Sequence, residues 1–221
     1  MSDYHVIARS PIAQPPPVRV EAGWEVSGCQ SDAPLTITDC TPLAKVHVQA
    51  PWNGAMAKAL GVPFGQASRN AAWLVVGSGP EEWLLVGSGP GEWLVLAPVG
   101  TAAQVAGRLG QVAAESAPEE FVSVIDLTHG RALVRITGAD AAGLLARLCA
   151  VDLHDDMTPN GAAFRAPVAG LATDVIRDDR DAAPSYLVHC ERSSGQYLFG
   201  VLVSAGESLG IGINGFSANG I

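Results

Sequence analysis

The chain has 221 residues, of which 48% are hydrophobic and 16% charged, and a formal net charge of −9 at pH 7. This length and hydrophobic content are sufficient for one or two domains with a substantial core. The 13 basic residues do not cluster and are outnumbered by 22 acidic ones. Nucleic acid and anionic membranes are therefore excluded as expected partners, since both require many Lys and Arg contacts.

No apolar stretch approaches the roughly 20 residues needed to cross a bilayer, and the first residues lack the apolar segment of a signal peptide. We therefore expect a cytoplasmic protein. The four cysteines are expected to be reduced thiols in that compartment. Because none of them forms a C-x-x-C pair, no structural zinc site is predicted.

The N-terminal residues 1–33 contain four prolines and little periodic apolar pattern. This composition predicts an extended N-terminal arm that becomes ordered on a partner. The periodic apolar pattern that is typical of a globular domain begins after the arm. We expect two α+β units, residues 34–120 and 121–221, which together form one compact domain.

The first elements of the globular part are a strand over residues 43–48 and a short helix over 53–60. A ten-residue repeat follows, in which Trp73, Trp83 and Trp93 each begin an apolar strand. The sequence Gly-Ser-Gly-Pro punctuates the first two copies as a turn. The repeat therefore predicts up-and-down strands, or one extra copy of a single hairpin strand.

A helix over residues 101–114 comes next, with Thr101 as its predicted N-cap. Further on, Ser193 and Gln196 have the spacing of a capping box and predict a final helix through 203. Between these two helices, the patterns predict another helix over 140–150 and strands over 121–126, 131–137, 164–168, 171–176 and 186–190.

The two halves of the chain show the same order of elements. A strand runs into a helix over residues 46–60 and again over 134–148, and a second such pair occurs near the end of each half. This order predicts an α+β fold of two related ferredoxin-like units, each with strands around two helices.

The clearest group of polar residues lies on a short connection between two strands, where Asp126, His129 and Arg131 follow one another. An arginine fork binds carboxylates, so this connection could orient a carboxylated ligand. The alternative interpretation is an Asp-capped turn with an exposed histidine.

Other candidate sites have weaker support. The glycine-rich turn at residues 87–91 lacks the sixth-position glycine and following helix of a dinucleotide site. The acids near His154 and those at positions 174–181 are interpreted as solvated loop residues, and no metal site is predicted. No catalytic residue is predicted in this chain, which favours a binding or subunit role.

Five short motifs occur in an order that resembles the gamma subunit of heterotetrameric sarcosine oxidase, over about residues 35–205. That family is similar in turn to the folate-binding domains of glycine-cleavage aminomethyltransferases. The motifs are Gly-Pro-Gly-Glu-Trp-Leu-Val-Leu (89–96), Asp-Leu-Thr-His-Gly-Arg (126–131), Thr-Gly-Ala-Asp-Ala (137–141), Cys-Ala-Val-Asp-Leu (149–153) and Arg-Ser-Ser-Gly-Gln-Tyr-Leu (192–198). The family pattern has one Gly-Pro-x-Glu-Trp-Leu copy, so one copy of the repeat resembles an insertion.

The resemblance implies an oxidoreductase complex that oxidatively demethylates sarcosine to glycine. It implies alpha, beta and delta subunits as partners, with FAD, FMN, NAD and tetrahydrofolate on the larger subunits and zinc on the smallest. This chain is then expected to bind no cofactor. Thr173 stands where the aminomethyltransferases carry the first of two aspartates, so a carboxylate for proton transfer is missing.

The alternative function is a stand-alone folate-binding protein of one-carbon metabolism, similar to the aminomethyltransferases. Its pocket would use Asp126, His129, Arg131 and Asp174.

Overall fold

The structure, a computed structural model, describes residues 6–69 and 83–218. Within these ranges, the strands are β1 (Ala8–Arg9), β2 (Val18–Glu21), β3 (Trp24–Ser27), β4 (Leu35–Asp39), β5 (Ala44–Gln49), β6 (Ala67–Ser68), β7 (Leu84–Gly89), β8 (Glu92–Ala97), β9 (Ser123–Asp126), β10 (Arg131–Gly138), β11 (Ala163–Val168), β12 (Leu171–Arg177), β13 (Ser185–Glu191) and β14 (Gly212–Asn214). The α-helices are α1 (Ala55–Leu60), α2 (Ala102–Ser116), α3 (Ala141–Ala146) and α4 (Gly195–Gly206).

Two large sheets form the body of the molecule. One has six strands in the order β11-β12-β13-β10-β4-β14, and the other has five strands in the order β6-β7-β8-β5-β9. Alternate residues of β10 and β13 belong to different hydrophobic clusters: Leu133 and Leu187 join the cluster of the five-stranded sheet with α1 and α2, whereas Val134 and Val188 join that of α3 and α4. The six-stranded sheet is therefore buried on both faces, as strand alternation requires. The predicted α+β fold is confirmed.

The sheets exchange strands across the predicted boundary at residue 120. Strand β4 precedes the boundary but pairs with β10, and β9 follows it but pairs with β5. Each sheet thus contains one strand from the other half of the chain. That the two units together form one compact domain remains a prediction.

The N-terminal segment differs from the extended arm that the sequence predicts. Strands β1, β2 and β3 form a small sheet of their own in the order β1-β3-β2. Trp24 and Val26 of β3 are buried in the cluster of the five-stranded sheet, and Ile12 is buried in the other cluster. The segment therefore packs against its own chain, because its apolar residues are buried in both hydrophobic clusters.

The tryptophan repeat forms the predicted antiparallel hairpin. Strands β7 and β8 carry its second and third copies and pair from Leu84 opposite Leu96 to Gly89 opposite Glu92, with a register shift between Gly87 and Gly89. Trp93 is buried, and its indole Nε1 donates to the Val62 carbonyl at 2.8 Å. The first copy, which begins at Trp73, lies outside the described residues.

Helix α2 confirms its predicted apolar face, since Val105, Leu109 and Val112 are buried. The predicted cap at Thr101 is not formed, because its side chain makes no hydrogen bond at the helix N-terminus. Ser193, the predicted capping-box residue, lies inside a 3-10 turn and not at a helix N-cap. A short 3-10 turn precedes α4, and the side chain of Gln196 instead accepts from the Ala13 backbone N–H at 2.6 Å. The capping-box prediction is therefore wrong, because the N-terminal segment occupies the amide.

Helix α3 ends at Ala146 and is therefore shorter than the predicted 140–150. Beyond Ala146 the chain continues to Cys149 in single hydrogen-bonded turns. None of the helices in the described ranges has the length and hydrophobicity of a membrane span.

Candidate functional site

A pocket of about 360 Å³ lies where the two large sheets meet. It is lined from one side by β5 and the β7–β8 hairpin and from the other by β10, β11, β12 and β13. Its ionisable lining residues are His47, Glu92, Arg131, Arg165, Asp174, His189 and Glu191. The volume is in the range typical of small-molecule sites.

Two of the four residues predicted for a folate pocket, Arg131 and Asp174, line this pocket. The other two lie outside it. The Asp126 carboxylate accepts from the Thr128 backbone N–H at 2.8 Å, and the exposed His129 ring stacks on Trp24 at 4.9 Å between centroids. This connection therefore forms an Asp-capped turn with an exposed histidine, because the chain reverses direction before Arg131.

A buried lysine positions that turn beneath the pocket. The backbone of Lys45 pairs with the turn, since its N–H donates to the Thr128 hydroxyl at 3.1 Å and its carbonyl accepts from the Leu127 N–H at 2.8 Å. Its ammonium Nζ donates to the carbonyls of Thr41 and Leu43, both at 2.7 Å. Burial lowers the pKa of Lys45 to about 7. These contacts fix residues 127 and 128 of the turn that leads into Arg131.

The centre of the pocket is a three-residue network on adjacent strands. Arg165 on β11 donates through Nε to Asp174 Oδ1 at 2.6 Å, and His189 Nδ1 lies 3.2 Å from Asp174 Oδ2. Asp174 is directly opposite Arg165 in one strand pair and opposite His189 in the other. Register alone therefore brings the three side chains together.

The charge state of this network follows from burial and contacts. Burial tends to raise the pKa of Asp174, but hydrogen bonds and charges from His189 and Arg165 outweigh it and hold that pKa below its ordinary value. Burial lowers the pKa of His189 despite the nearby carboxylate. At pH 7 the carboxylate is ionised and the imidazole neutral. Because an ionised carboxylate only accepts, His189 carries its proton on Nδ1.

Two lining atoms have no hydrogen-bond partner among the described residues. These are the buried His189 Nε2 and Ser88 Oγ. Buried polar atoms are seldom left unpaired, so these two atoms are exceptions among the described lining residues.

Sequence reasoning missed His47, Ser88 and His189 as pocket residues. His189 and its neighbour Cys190 point to opposite faces of β13, so His189 lines the pocket whereas Cys190 is buried in a hydrophobic cluster. One sequence pattern could have indicated the two histidines. The segments His47-x-Gln49 and His189-x-Glu191 have the same spacing, and all four residues line the pocket.

Guanidinium groups line the outer part of the pocket. Arg131 forms an ion pair with Glu191, and Arg165 Nη2 lies 3.5 Å from Glu92. Both arginines are partly exposed, whereas the His189 side chain is only 4% exposed. The pocket therefore has hydrogen-bond acceptors at its base and cationic donors at its mouth.

Thr173, which the resemblance places where the aminomethyltransferases carry an aspartate, is buried beside the pocket residue Asp174. Its hydroxyl donates to the Leu171 carbonyl at 3.0 Å. Adjacent strand residues point to opposite faces, so Thr173 supplies no acid or base to the pocket.

The acids beside His154 are exposed, as the sequence predicts, with the Asp155 and Asp156 side chains 80% and 90% exposed. Asp178 instead is buried and bound by arginines, which corrects the prediction for that residue. The buried Asp178 accepts from Arg135 at 2.7 Å and Arg69 at 2.8 Å. Asp155 accepts from the buried Arg177 at 2.6 Å. The described residues contain no cluster of His, Cys, Asp or Glu suited to a metal ion. The strand pairs bring distant arginines onto this loop, which local sequence patterns do not reveal.

Two solved structures share this fold. A heterotetrameric sarcosine oxidase from Corynebacterium sp. U-96, in complex with pyrrole 2-carboxylate, aligns with a TM-score of 0.63 at 19% identity, covering 82% of this chain and 88% of that one. Glycine cleavage system aminomethyltransferase T from Bartonella henselae aligns with a TM-score of 0.65 at 16% identity, covering 90% of this chain. The alignment spans 55% of the aminomethyltransferase, so this chain corresponds to about half of that protein.

At these identities, the alignments establish the fold, and they confirm the predicted likeness to aminomethyltransferase folate-binding domains. No curated protein matches the chain. The family model described as sarcosine oxidase, gamma subunit family, matches residues 49–207, which is more than half of the sequence. The resemblance carried by the five motifs is thereby confirmed, and the chain belongs to the sarcosine oxidase gamma subunit family.

Proposed function

We propose that this chain is a non-catalytic subunit of a cytoplasmic heterotetrameric sarcosine oxidase, which oxidatively demethylates sarcosine to glycine. The observation that carries the proposal is the family match over residues 49–207. The expected partners are the alpha, beta and delta subunits. We assign FAD, FMN, NAD, tetrahydrofolate and zinc to those partners.

The chemistry of the pocket supports a non-catalytic role. Asp174 is ionised and held by Arg165 and His189, and each of the two arginines is engaged by a carboxylate. An acid or base that transfers protons needs a pKa near the working pH, whereas this carboxylate is held below its ordinary pKa. Asp174 is thus ionised at neutral pH and is not tuned to exchange a proton.

Aromatic side chains on the surface offer one place for a partner subunit. Trp52 and Phe64 are each 48% exposed and pack edge to face with centroids 6.5 Å apart. They border a groove of about 280 Å³ that also includes Val62 and Pro63. Exposed aromatic residues are enriched at protein interfaces, so we propose that this groove lies in a subunit contact.

Affinity purification from the native host tests the proposal. The tagged chain should recover larger chains in an eluate that has a flavin absorption spectrum and oxidises sarcosine. The chain expressed alone should be colourless and inactive. A Trp52→Ala/Phe64→Ala double variant should recover less of the partner chains, with Phe121→Ala, an exposed aromatic away from the groove, as the matched control.

Two results would contradict the subunit role. One is recovery of the chain without any flavin-bearing partner, and the other is sarcosine oxidation by the isolated chain. Equal recovery by the double variant and its control would reject the groove as the contact while leaving the subunit role intact.

The alternative, a stand-alone folate-binding protein, has less support. Only Arg131 and Asp174 of its four predicted residues line the pocket, and both are engaged in ion pairs. Calorimetric titration of the single chain with tetrahydrofolate separates the two functions. Saturable binding that is weakened by Arg131→Ala would favour the alternative, and no heat of binding would reject it.

A further inference from the structure

A second cavity, of about 440 Å³, lies where the N-terminal segment and the residues after β14 pack on the six-stranded sheet. Its walls come from β2 and the residues after β3, from the region of β4 and β10, and from the end of β14 with the residues that follow it. No described residue lines both this cavity and the pocket between the two large sheets. The second cavity is therefore a separate site.

The lining of the second cavity is positively charged, although the chain as a whole has a formal net charge of −9. It includes the guanidinium groups of Arg19 and Arg135, and among the described residues it includes no Asp or Glu. The formal charge of this lining is therefore +2. Four side chains with amide or hydroxyl groups also line it: Gln30, Thr38, Asn214 and Ser217. Because a cavity of one charge sign concentrates small ions of the opposite sign, these groups favour an anion.

Strand register places three of the polar side chains side by side. Thr38 of β4 is directly opposite Arg135 of β10 in one strand pair and opposite Asn214 of β14 in the other. Directly paired residues share a face of the sheet, and neighbouring strands are about 4.8 Å apart. A guanidinium, a hydroxyl and an amide therefore form one row along the wall of the cavity. Asn214 Oδ1 accepts from the Ser31 backbone N–H at 2.7 Å, so the N–H donors of its amide are left for a ligand.

The guanidinium of Arg19 retains donors for a ligand. Among the described residues, only its Nη2 is engaged, by the Phe216 carbonyl at 2.9 Å and by Glu21 at 2.7 Å. The Glu21 carboxylate also accepts from the Ala218 backbone N–H at 2.6 Å. A guanidinium has five N–H donors, so those on Nε and Nη1 of Arg19 can bind a second anion.

The positive charge of Arg135 is not cancelled by a carboxylate of its own. Its ion-pair partner Asp178 also pairs with Arg69 and Arg180, so three guanidinium groups share one negative charge. The Arg135 side chain is only 12% exposed. Because a poorly solvated charge acts more strongly on a nearby ion than a charge in water does, the wall of the cavity keeps a positive potential.

These donors favour a group with several acceptor oxygens. A phosphate group carries nearly two negative charges and three strong acceptor oxygens, and arginine forks bind such oxygens in pairs. A carboxylate carries one charge and two oxygens. Since the lining has two positive charges and donors on β2, β4, β10 and β14, a phosphate matches it better than a carboxylate does.

We infer that the second cavity binds a phosphate dianion, either as the free ion or as the phosphate group of a small molecule. The row of Arg135, Thr38 and Asn214 forms its wall on the sheet, and Arg19 adds positive charge from the N-terminal segment. The inference goes beyond the proposed subunit function and does not require the partner subunits.

Calorimetry on the full-length chain at pH 8 tests the inference with three probes, at a constant ionic strength set by chloride. Inorganic phosphate and glycerol 3-phosphate are dianions, and acetate carries a single charge. Both phosphates should bind saturably and raise the Tm. Acetate should bind at least about tenfold more weakly, as expected for the loss of a charged hydrogen bond. Tighter binding of glycerol 3-phosphate would assign the cavity to a phosphorylated small molecule, and tighter binding of inorganic phosphate to the free ion.

Variants of two matched arginines locate the site. Arg19 and Arg9 both lie on the small N-terminal sheet, and each pairs with a glutamate, but only Arg19 lines the cavity. Arg19→Gln should weaken phosphate binding by at least about threefold, since this arginine is half-exposed and partly screened. Arg9→Gln should leave the affinity unchanged. Non-specific stabilisation by phosphate would affect both variants equally. If Arg19→Gln does not unfold cooperatively, Thr38→Val gives the same test, because it removes a hydroxyl from the wall and keeps a β-branched side chain in β4.

The thiol of Cys29 provides a second readout inside the cavity. Cys29 is half-buried and lines the cavity, with its Sγ 3.2 Å from the Pro16 carbonyl. Iodoacetamide must reach this sulfur and reacts with its thiolate. A bound phosphate should therefore slow the labelling of Cys29 by at least about threefold once most of the chain is occupied. Chloride at the same ionic strength should not slow it.

Four results would overturn the inference. They are the absence of saturable phosphate binding at millimolar concentrations, acetate binding as tight as phosphate binding, equal phosphate affinities of Arg19→Gln and Arg9→Gln, and an unchanged rate of Cys29 labelling when phosphate is bound. None of these measurements depends on sarcosine oxidation or on co-purifying chains, so failure of the inference is distinguishable from failure of the proposed subunit role.

Discussion

Replacing Asp178 with asparagine should strongly destabilise the six-stranded sheet. The Asp178 carboxylate is 7% exposed and accepts hydrogen bonds from Arg135 and Arg69. Arg180 lies 3.4 Å from the same oxygen. Asparagine has nearly the same shape but no charge, so Asp178→Asn removes the counter-charge and leaves the three guanidinium groups close together.

The size of the effect follows from the burial of each pair. Removing one partner of a buried ion pair costs about 3–5 kcal/mol, because the other charge stays buried without compensation. The Arg135 side chain is 12% exposed, but those of Arg69 and Arg180 are 26% and 29% exposed and screened by water. We therefore expect about 3 kcal/mol, at the lower end of the range. For a chain of this size, this corresponds to a decrease in Tm of roughly 6–12 °C.

Denaturant titration and scanning calorimetry measure this loss. Asp156→Asn is the matched control, since that side chain is 90% exposed and its replacement should change the free energy of unfolding by less than about 0.5 kcal/mol. A loss for Asp178→Asn no larger than that of the control would refute the argument that this buried carboxylate holds the arginines together.

The same carboxylate should make stability depend on pH in the acid range. Burial tends to raise the pKa of Asp178, but the guanidinium groups of Arg135 and Arg69 outweigh it and lower that pKa. The unfolded chain then binds more protons than the folded one, so this contribution is present above the ordinary Asp pKa and is lost as pH falls through the folded value. Below about pH 4, Asp178→Asn should lose less stability with falling pH than the wild type.

Three further predictions concern packing and thiol burial. Gly87→Ala should destabilise the β7–β8 hairpin by more than about 1 kcal/mol, because a Cβ atom would collide with the Pro63 carbonyl. Gly107→Ala, at an exposed position of α2 where a Cβ meets no atom within 4 Å, should instead stabilise the chain by about 0.5–1 kcal/mol; denaturant titration of both variants checks the opposite signs. In native protein at pH 8, iodoacetamide should modify the half-buried Cys29 first, since Cys40 is buried and burial raises its pKa to about 11. Mass spectrometry should detect modification of all four thiols after the protein is unfolded. Rapid labelling of Cys40 in the native protein would contradict its burial.

Local sequence patterns were sufficient to predict many of the secondary-structure elements. The alternation over residues 43–48 corresponds to β5, and the apolar spacing of Val105, Leu109 and Val112 corresponds to the buried face of α2. These patterns succeed because they depend on the geometry of a single strand or helix. The capping box predicted at Ser193 does not form, because the side-chain amide of Gln196 accepts a hydrogen bond from the backbone N–H of Ala13, which is far away in sequence.

The candidate pocket could be predicted only in part for the same reason. Arg131 and Asp174 were identified because their chemistry is visible in the sequence. His189 was missed because its importance depends on the register that places it opposite Asp174. Asp126 and His129, although near Arg131 in sequence, contact the Thr128 N–H and Trp24 and do not line the pocket.

The sequence by itself determined the family, the α+β class and the hairpin formed by the tryptophan repeat, because each depends on residue order or local periodicity. Tertiary structure decided which strands pair, and so placed β4 and β9 in sheets made mainly from the other half of the chain. It also decided the pocket, because it brings His47 of the five-stranded sheet and His189 of the six-stranded sheet to the lining of one cavity. Strand pairing joins residues through long-range hydrogen bonds and burial, and neither is encoded by the spacing of neighbouring residues.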